Sequence, residues 1–143
     1  TPHKAFTPLC DYATYLEILG GCEASFMPLR DTLFNRCKSD LKFLEASAHR
    51  AVSVASTVVY GASIADGENG LLFDGPQALH ERLMWLVADP ARARAMADRA
   101  REGVAGGRML AYQAGQRLEW YRALWARREA LHRALLERVP ELG

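Results

Sequence analysis

The chain has 143 residues, of which 50% are hydrophobic and 24% are charged, as in an ordinary globular protein. Its formal net charge of +1 gives no indication of nucleic-acid binding, so we expect no nucleic-acid partner. The three cysteines form no CxxC pair and no Cys/His cluster, which predicts neither a disulfide framework nor a metal site. No apolar run approaches the ~20 residues of a membrane helix and no signal peptide is recognisable, so we expect a cytoplasmic protein with reduced thiols. The start at Thr1 rather than Met suggests a fragment of a longer protein.

Apolar runs and helical patterns alternate in the first half of the chain. Asp11 is a candidate N-cap for the first helix, and Ser39 is a candidate N-cap for the second. The polar stretch 31–38 is predicted to be a loop, and Asp66 to Gly70 form a turn. This alternation favours an α/β fold with a parallel sheet covered by helices. Helices are predicted at 11–19 and 40–49, and strands at 24–29, 51–55 and 71–73.

The second half of the chain is predicted to be helical. Pro76 and Pro90 each follow a residue that can begin a helix, and proline is favoured in the first helical turn. Gly106–Gly107 is expected to end the second of these helices near Val104. A long helical extension follows, and we expect it to pack on this domain or on a missing N-terminal domain. We therefore expect a domain at 1–107 and a helical extension at 108–143. The helix that begins at Pro76 is predicted to have an apolar face of Leu79, Leu83, Leu86 and Val87. The apolar face of the extension is predicted to contain Ala114, Leu118, Tyr121, Trp125, Leu131 and Leu135.

Charged residues recur at helical spacing around the second predicted helix. Lys38, Lys42, Glu45 and His49 fall on one stripe, and Leu41, Leu44 and Ala48 fall on a neighbouring stripe that is expected to pack on the sheet. Lysines are unfavourable near a helix N-terminus, by roughly 0.3–1 kcal/mol each, unless an anion binds there. The pattern therefore indicates a diphosphate site, with Glu45 available to a ribose diol. A solvated helix face explains the same spacing equally well.

The run from Phe26 to Ser56, followed by Tyr60 and by Asp66 to Leu72, resembles the C-terminal domain of group 1 glycosyltransferases of the GT-B fold. The ordered set KSDLKFLEA, a following strand and DGENGLL carries this resemblance, which extends over residues 5–121. It implies a Rossmann-like domain that binds a nucleotide-diphosphate sugar as donor substrate, without a further cofactor. The acceptor is then expected on an N-terminal domain of the full-length protein. Peripheral membrane association of the full-length protein is a further expectation.

The resemblance also implies roles for particular residues. Lys38 is expected to be the catalytic residue that neutralises the donor phosphates, and Glu45 is expected to hold the ribose. The loop that begins at Ser56 is expected to contact the diphosphate. Tyr60 either stacks on the nucleotide base or covers the edge of the sheet. The full set of expected donor-binding residues is Lys38, Ser39, Lys42, Glu45, Ser56, Thr57 and Tyr60.

The sequence departs from the family pattern at four positions. The first of two family glutamates is replaced by Cys37, and a later glutamate is replaced by Ala62. A glycine pair in the diphosphate loop is replaced by Val58 and Val59. These departures leave two interpretations open. The chain belongs to a divergent group of enzymes that relies on Lys38, or it is a noncatalytic interaction domain that holds a partner with its C-terminal helix.

Overall fold

Three short parallel strands form a sheet in the first part of the protein. The computed structural model describes residues 3–142, and the chain divides into two compact units between Gly107 and Arg108. In the first unit the strand order is β1-β2-β3, with β2 in the centre. Met27 is paired with Ala55, and Ala55 is paired with Leu72, so the carboxyl ends of all three strands lie at one edge. The strands are β1 (Ala24–Met27), β2 (Val52–Ser56) and β3 (Leu71–Phe73).

Helices flank this sheet, so the predicted mixed α/β fold with a parallel sheet is confirmed. The first unit contains α1 (Tyr12–Gly20), α2 (Leu33–Arg36), α3 (Leu41–Ala48), α4 (Thr57–Tyr60), α5 (Pro76–Ala88) and α6 (Pro90–Gly107). The second unit contains α7 (Leu110–Ala126), α8 (Arg128–Arg138) and a 3₁₀ turn (Pro140–Leu142). Among residues 3–142, no helix is sufficiently long and apolar to cross a membrane.

The sheet separates two hydrophobic clusters. Neighbouring residues of a strand point to opposite faces, so Val54 and Ala55 belong to different clusters. All five residues of β2 are buried, as expected for a central parallel strand. The first cluster joins Leu19, Met27, Phe43, Ala46, Ala51, Ala55, Tyr60, Ile64 and Val104. The second joins Val52, Val54, Leu71, Met96 and Ala97, with Leu79, Trp85 and Leu86 packed against them.

The helix starts agree only in part with the sequence prediction. The side chain of Asp11 accepts a hydrogen bond from the Thr14 amide at 2.8 Å, which confirms Asp11 as the cap of α1. The predicted loop 31–38 is wrong in part because it contains α2, whose first turn is capped by the Thr32 side chain. Ser39 does not cap α3. The backbone already turns at Asp40, which takes the N-cap position, so α3 begins at Leu41.

The face on which α3 packs differs in part from the prediction, although the predicted Leu44 does pack against the first cluster. The buried residues are Phe43, Ala46 and Ser47, at helical spacing, whereas Leu41 and Ala48 are exposed. The large ring of Phe43 fills the space beside Leu19 and Met27, so the helix turns this face toward the sheet. Lys38 lies before α3 and is therefore not part of a helical stripe with Lys42, Glu45 and His49.

Several predicted apolar faces are exposed to solvent. In α5, Leu79 and Leu86 pack on the second cluster, but Leu83 and Val87 do not. The helical extension is divided into two helices at Arg127, where the last turn of α7 ends. Within residues 108–142 neither α7 nor α8 has a buried residue, and Trp125 is 70% exposed. The apolar face of the extension is therefore uncovered in this unit.

Candidate functional site

A cleft opens at the carboxyl ends of β1 and β2. Because the two strands are parallel and adjacent, the segments that follow them meet at this edge. The amide of Leu29 donates to Ser56 Oγ at 3.0 Å and so ties the two strand ends together. The cleft has a volume of about 570 Å³. Its lining consists of Asp31, Arg36, Lys38, Thr57, Val58, Val59 and Ala62.

One wall of the cleft is charged. Arg36 forms a two-point ion pair with Asp31, with Nε–Oδ1 and Nη2–Oδ2 distances of 2.5 and 2.7 Å. This hydrogen-bonded pairing lowers the pKa of the Asp31 carboxyl and raises the pKa of the Arg36 guanidinium. The ammonium of Lys38 lies 5.0 Å from the centre of the Phe34 ring, in cation–π geometry. The wall thus presents two cations and one carboxylate to the cleft.

The opposite wall is the tight loop that follows β2. Val58 has ordinary extended angles, but Val59 has φ 71° and ψ −54°. A β-branched residue at positive φ is a strong outlier, because its side chain clashes with the backbone. Gly61 donates its amide to the Thr57 carbonyl oxygen at 2.9 Å, and a Cβ at Gly61 would lie 2.9 Å from that same oxygen. The loop backbone therefore has the shape that glycine favours at position 59 and requires at position 61.

Two of the expected donor-binding residues lie in the cleft and two lie beneath it. Lys38 and Thr57 line the cleft. Ser56 is 7% exposed, and its hydroxyl oxygen already accepts the Leu29 amide. Tyr60 is 3% exposed and packs in the first cluster, where burial and the nearby Asp40 carboxylate raise its pKa. The Tyr60 ring is therefore part of the core, where it is not exposed for stacking on a base.

The other three expected residues, Ser39, Lys42 and Glu45, lie on or next to α3. In the part of the chain that the structure describes, they do not line the cleft. Ser39 and Lys42 are exposed. Glu45 is half-buried, and its two carboxylate oxygens accept hydrogen bonds from the hydroxyls of Tyr12 and Tyr15, at 2.9 and 3.1 Å. The residues of the predicted stripe are thus separated: Lys38 lines the cleft, whereas the Glu45 carboxylate binds two tyrosines on α1.

Sequence reasoning missed two features of this region. The Asp31–Arg36 pair lies in the stretch that was predicted to be an unstructured loop, although Thr32 is a recognisable helix cap. Tyr12 and Tyr15 fall within the helix predicted at 11–19, and no partner was predicted for their hydroxyls. Their spacing of three residues places both hydroxyls on one side of α1, which was the available signal for a shared partner.

Comparison of the chain with protein-family models, with curated proteins and with solved structures gave no match. The glycosyltransferase assignment therefore stays a prediction. Within residues 3–142, no group of three or more His, Cys, Asp or Glu side chains is arranged to hold a metal ion.

Proposed function

We propose that residues 1–107 form a Rossmann-like domain that binds a nucleotide-diphosphate sugar in the cleft. We propose further that the full-length protein is a glycosyltransferase of the GT-B type. The cleft at the carboxyl ends of two adjacent parallel strands carries this proposal, because open parallel sheets bind ligands there. Its volume of about 570 Å³ lies within the usual range of small-molecule sites.

The charges of the cleft fit a diphosphate. Asp31 holds the Arg36 guanidinium in place, and the Phe34 ring lies against the Lys38 ammonium. In the proposed reaction Lys38 stabilises the negative charge that develops on the leaving nucleoside diphosphate. A preorganised cation that acts on a developing charge lowers the barrier more than one that must first reorient. Lys38 is thus the proposed catalytic residue.

The shape of the loop supports the same proposal. Val59 occupies one of the two positions at which the resembled family has glycine, and its backbone has a positive φ that glycine adopts without cost. The loop has a glycine-like conformation at this position although the residue is valine. Thr57 lines the cleft beside it. We assign the diphosphate to this loop and to Lys38.

The remaining donor contacts lie along α3. Ser39 and Lys42 flank its N-terminus, where backbone amides and positive charge favour phosphate. Glu45, one turn further along, is the proposed ribose acceptor, while Ser56 and Tyr60 support the loop. The acceptor substrate and the general base belong to an N-terminal domain in this proposal. The chain of 143 residues therefore binds nucleotide without transferring sugar.

Thermal unfolding with UDP, GDP and ADP tests the proposal. A ligand at a hundred times its dissociation constant stabilises the folded state by ~2.7 kcal/mol, which corresponds to a rise in midpoint of several degrees. We expect such a rise with at least one nucleotide, and its loss in Lys38→Ala. Lys4→Ala, which removes an exposed lysine far along the chain from the cleft residues, is the matched control. Equal nucleotide-induced shifts in Lys38→Ala and Lys4→Ala would show that Lys38 does not contact the nucleotide.

A second candidate function is that of a noncatalytic domain that holds a partner through its C-terminal helices. The observation that favours it is the apolar groove between α7 and α8, of about 770 Å³ and lined by Tyr121, Trp125, Leu131 and Leu135 among others. Large exposed apolar surfaces commonly mark interaction sites. The absence of a thermal shift with every nucleotide would favour this function over the first.

A further inference from the structure

We propose that Tyr12 and Tyr15 position the Glu45 carboxylate to receive both hydroxyls of a ribose, so that the site selects ribonucleotides over 2′-deoxyribonucleotides. This inference rests on the proposed donor-binding function. It adds two positioning residues and a substrate preference to that function. The observation behind it is the pair of phenol hydroxyls that reach one carboxylate from the neighbouring helix α1.

The hydrogen bonds leave the carboxylate able to accept more. The Tyr12 hydroxyl donates to Oε1 at 2.9 Å, and the Tyr15 hydroxyl donates to Oε2 at 3.1 Å. A carboxylate has about four lone-pair positions, two on each oxygen. Each oxygen of Glu45 thus retains an acceptor position, and two adjacent acceptors match the two adjacent hydroxyls of a ribose. A single phenol would have left the carboxylate free to rotate.

Tyr15 is anchored in the core, and Tyr12 lies beside it at the surface. Tyr15 packs against the first hydrophobic cluster, and the Tyr12 ring lies 6.0 Å from the Tyr15 ring, centre to centre. The helix that carries them is capped by Asp11 and anchored by the buried Leu19. Because each carboxylate oxygen already accepts a hydrogen bond from α1, the orientations open to the Glu45 side chain are restricted before a ligand arrives. Preorganisation of this kind strengthens binding by reducing the ordering that binding requires.

The protonation states support the arrangement. Burial and the hydrogen bond to Glu45 raise the pKa of Tyr15 to about 12, and the hydrogen bond to Glu45 raises the pKa of Tyr12. Both phenols therefore keep their protons at neutral pH and remain donors. The two phenols therefore donate to the Glu45 oxygens, and a sugar hydroxyl would do the same.

The position of Glu45 fits the order of groups in a nucleotide. It lies four residues after Leu41, about 6 Å along the axis of α3 from the helix start. Lys38, which lines the cleft, precedes that start by three residues. The ribose diol is the next polar group after the diphosphate in a nucleotide. In this proposal a diphosphate bound at the cleft has its ribose along α3, at Glu45.

The test compares UDP, GDP and ADP with their 2′-deoxy counterparts by isothermal titration calorimetry. A site built around a hydroxyl discriminates against a ligand that lacks it, so we expect the wild-type chain to prefer a ribonucleotide by about tenfold or more. In the double variant Tyr12→Phe/Tyr15→Phe the rings remain but the two hydroxyls are lost. We expect that variant to bind the nucleotide with most of this preference removed. Glu45→Gln should lose the preference as well.

Tyr112→Phe is the matched control, because it removes an exposed phenol hydroxyl from the second unit. It should leave the preference unchanged. The single variant Tyr12→Phe, at a largely exposed residue, provides a second measurement if the double variant unfolds, and we expect it to weaken the preference.

The outcomes separate the two proposals. Equal binding of ribonucleotide and deoxyribonucleotide by the wild type, or an unchanged preference in folded Tyr12→Phe/Tyr15→Phe, would overturn this inference and leave the donor-binding function standing. Failure of every nucleotide to bind would overturn the donor-binding function itself, and this inference with it.

Discussion

Replacing Val59 by glycine is expected to have little effect on stability, although it shortens a side chain in a tight loop. The positive φ of Val59 lowers the folding stability by roughly 1–3 kcal/mol, and glycine would remove this strain. Glycine adds about 0.5–1 kcal/mol of backbone entropy to the cost of folding. Loss of a half-buried valine side chain costs about 1 kcal/mol, roughly half the value for a fully buried one. The terms nearly cancel, so Val59→Gly should unfold within about 1.5 kcal/mol of the wild type.

Val58→Gly is the matched control for this experiment. Val58 is also half-buried, but its φ of −62° and ψ of 122° carry no strain. Val58→Gly therefore loses the buried side chain and gains the backbone entropy of glycine, but relieves no strain. It should be destabilised by about 1.5–2 kcal/mol. Differential scanning calorimetry should show a lower midpoint for Val58→Gly than for Val59→Gly, by roughly 4 °C for each kcal/mol. Equal losses in the two variants would refute the argument that the loop stores strain at Val59.

Three further predictions concern other parts of the first unit. Gly61→Ala should lose about 1–3 kcal/mol in chemical denaturation because its Cβ meets a backbone oxygen at 2.9 Å, whereas Gly103→Ala, with open space around it in α6, should gain about 0.5–1 kcal/mol. A loss in both variants would contradict this. The hydrogen bond from the Thr14 amide lowers the pKa of Asp11, so the stabilisation by Asp11 is complete above about pH 4 and is lost as the pH falls through the lowered pKa. Asp11→Ala should therefore reduce the loss of folding stability between neutral and acidic pH. An unchanged pH dependence of stability would count against the cap. In alkaline absorbance titration Tyr15 should ionise near its raised pKa of about 12, and Glu45→Gln should move that ionisation to lower pH; no movement would show that the hydrogen bond is absent.

The sequence was sufficient to predict the main elements of the fold. The buried strand around Val54 and the turn before Leu71 followed from short apolar runs bounded by polar residues. The cap at Asp11 and the helix start at Pro76 followed from residue types with strong positional preferences. These features depend on local interactions, which a single sequence shows directly.

The faces of the helices were harder to predict. In α3 the predicted stripe was correct at Leu44 but wrong at Leu41 and Ala48, which are exposed. Phe43 and Ala46 make the main contacts, because the choice depends on which space the neighbouring elements leave. The start of the helix was also placed too early. The charged stripe also extended helical spacing back to Lys38, which lies three residues before α3 begins.

The candidate site was predicted in part. Lys38 and Thr57 line the cleft, and both follow strands whose carboxyl ends meet at one edge of the sheet. The contacts of Glu45 could not be predicted, because Tyr12 and Tyr15 lie about 30 residues earlier and local spacing gives no pairing across that distance. The strain at Val59 was also not visible, since valine ordinarily avoids positive φ.

The most direct test of the donor-binding account is an amide chemical-shift titration of the ¹⁵N-labelled chain with UDP, GDP and ADP. The account predicts that one nucleotide shifts the amides of Thr57 to Gly61 and those around Lys38, and that its ribose shifts Glu45. Shifts confined to α7 and α8, or no shift with any of the three nucleotides, would contradict the claim that this cleft binds a nucleotide.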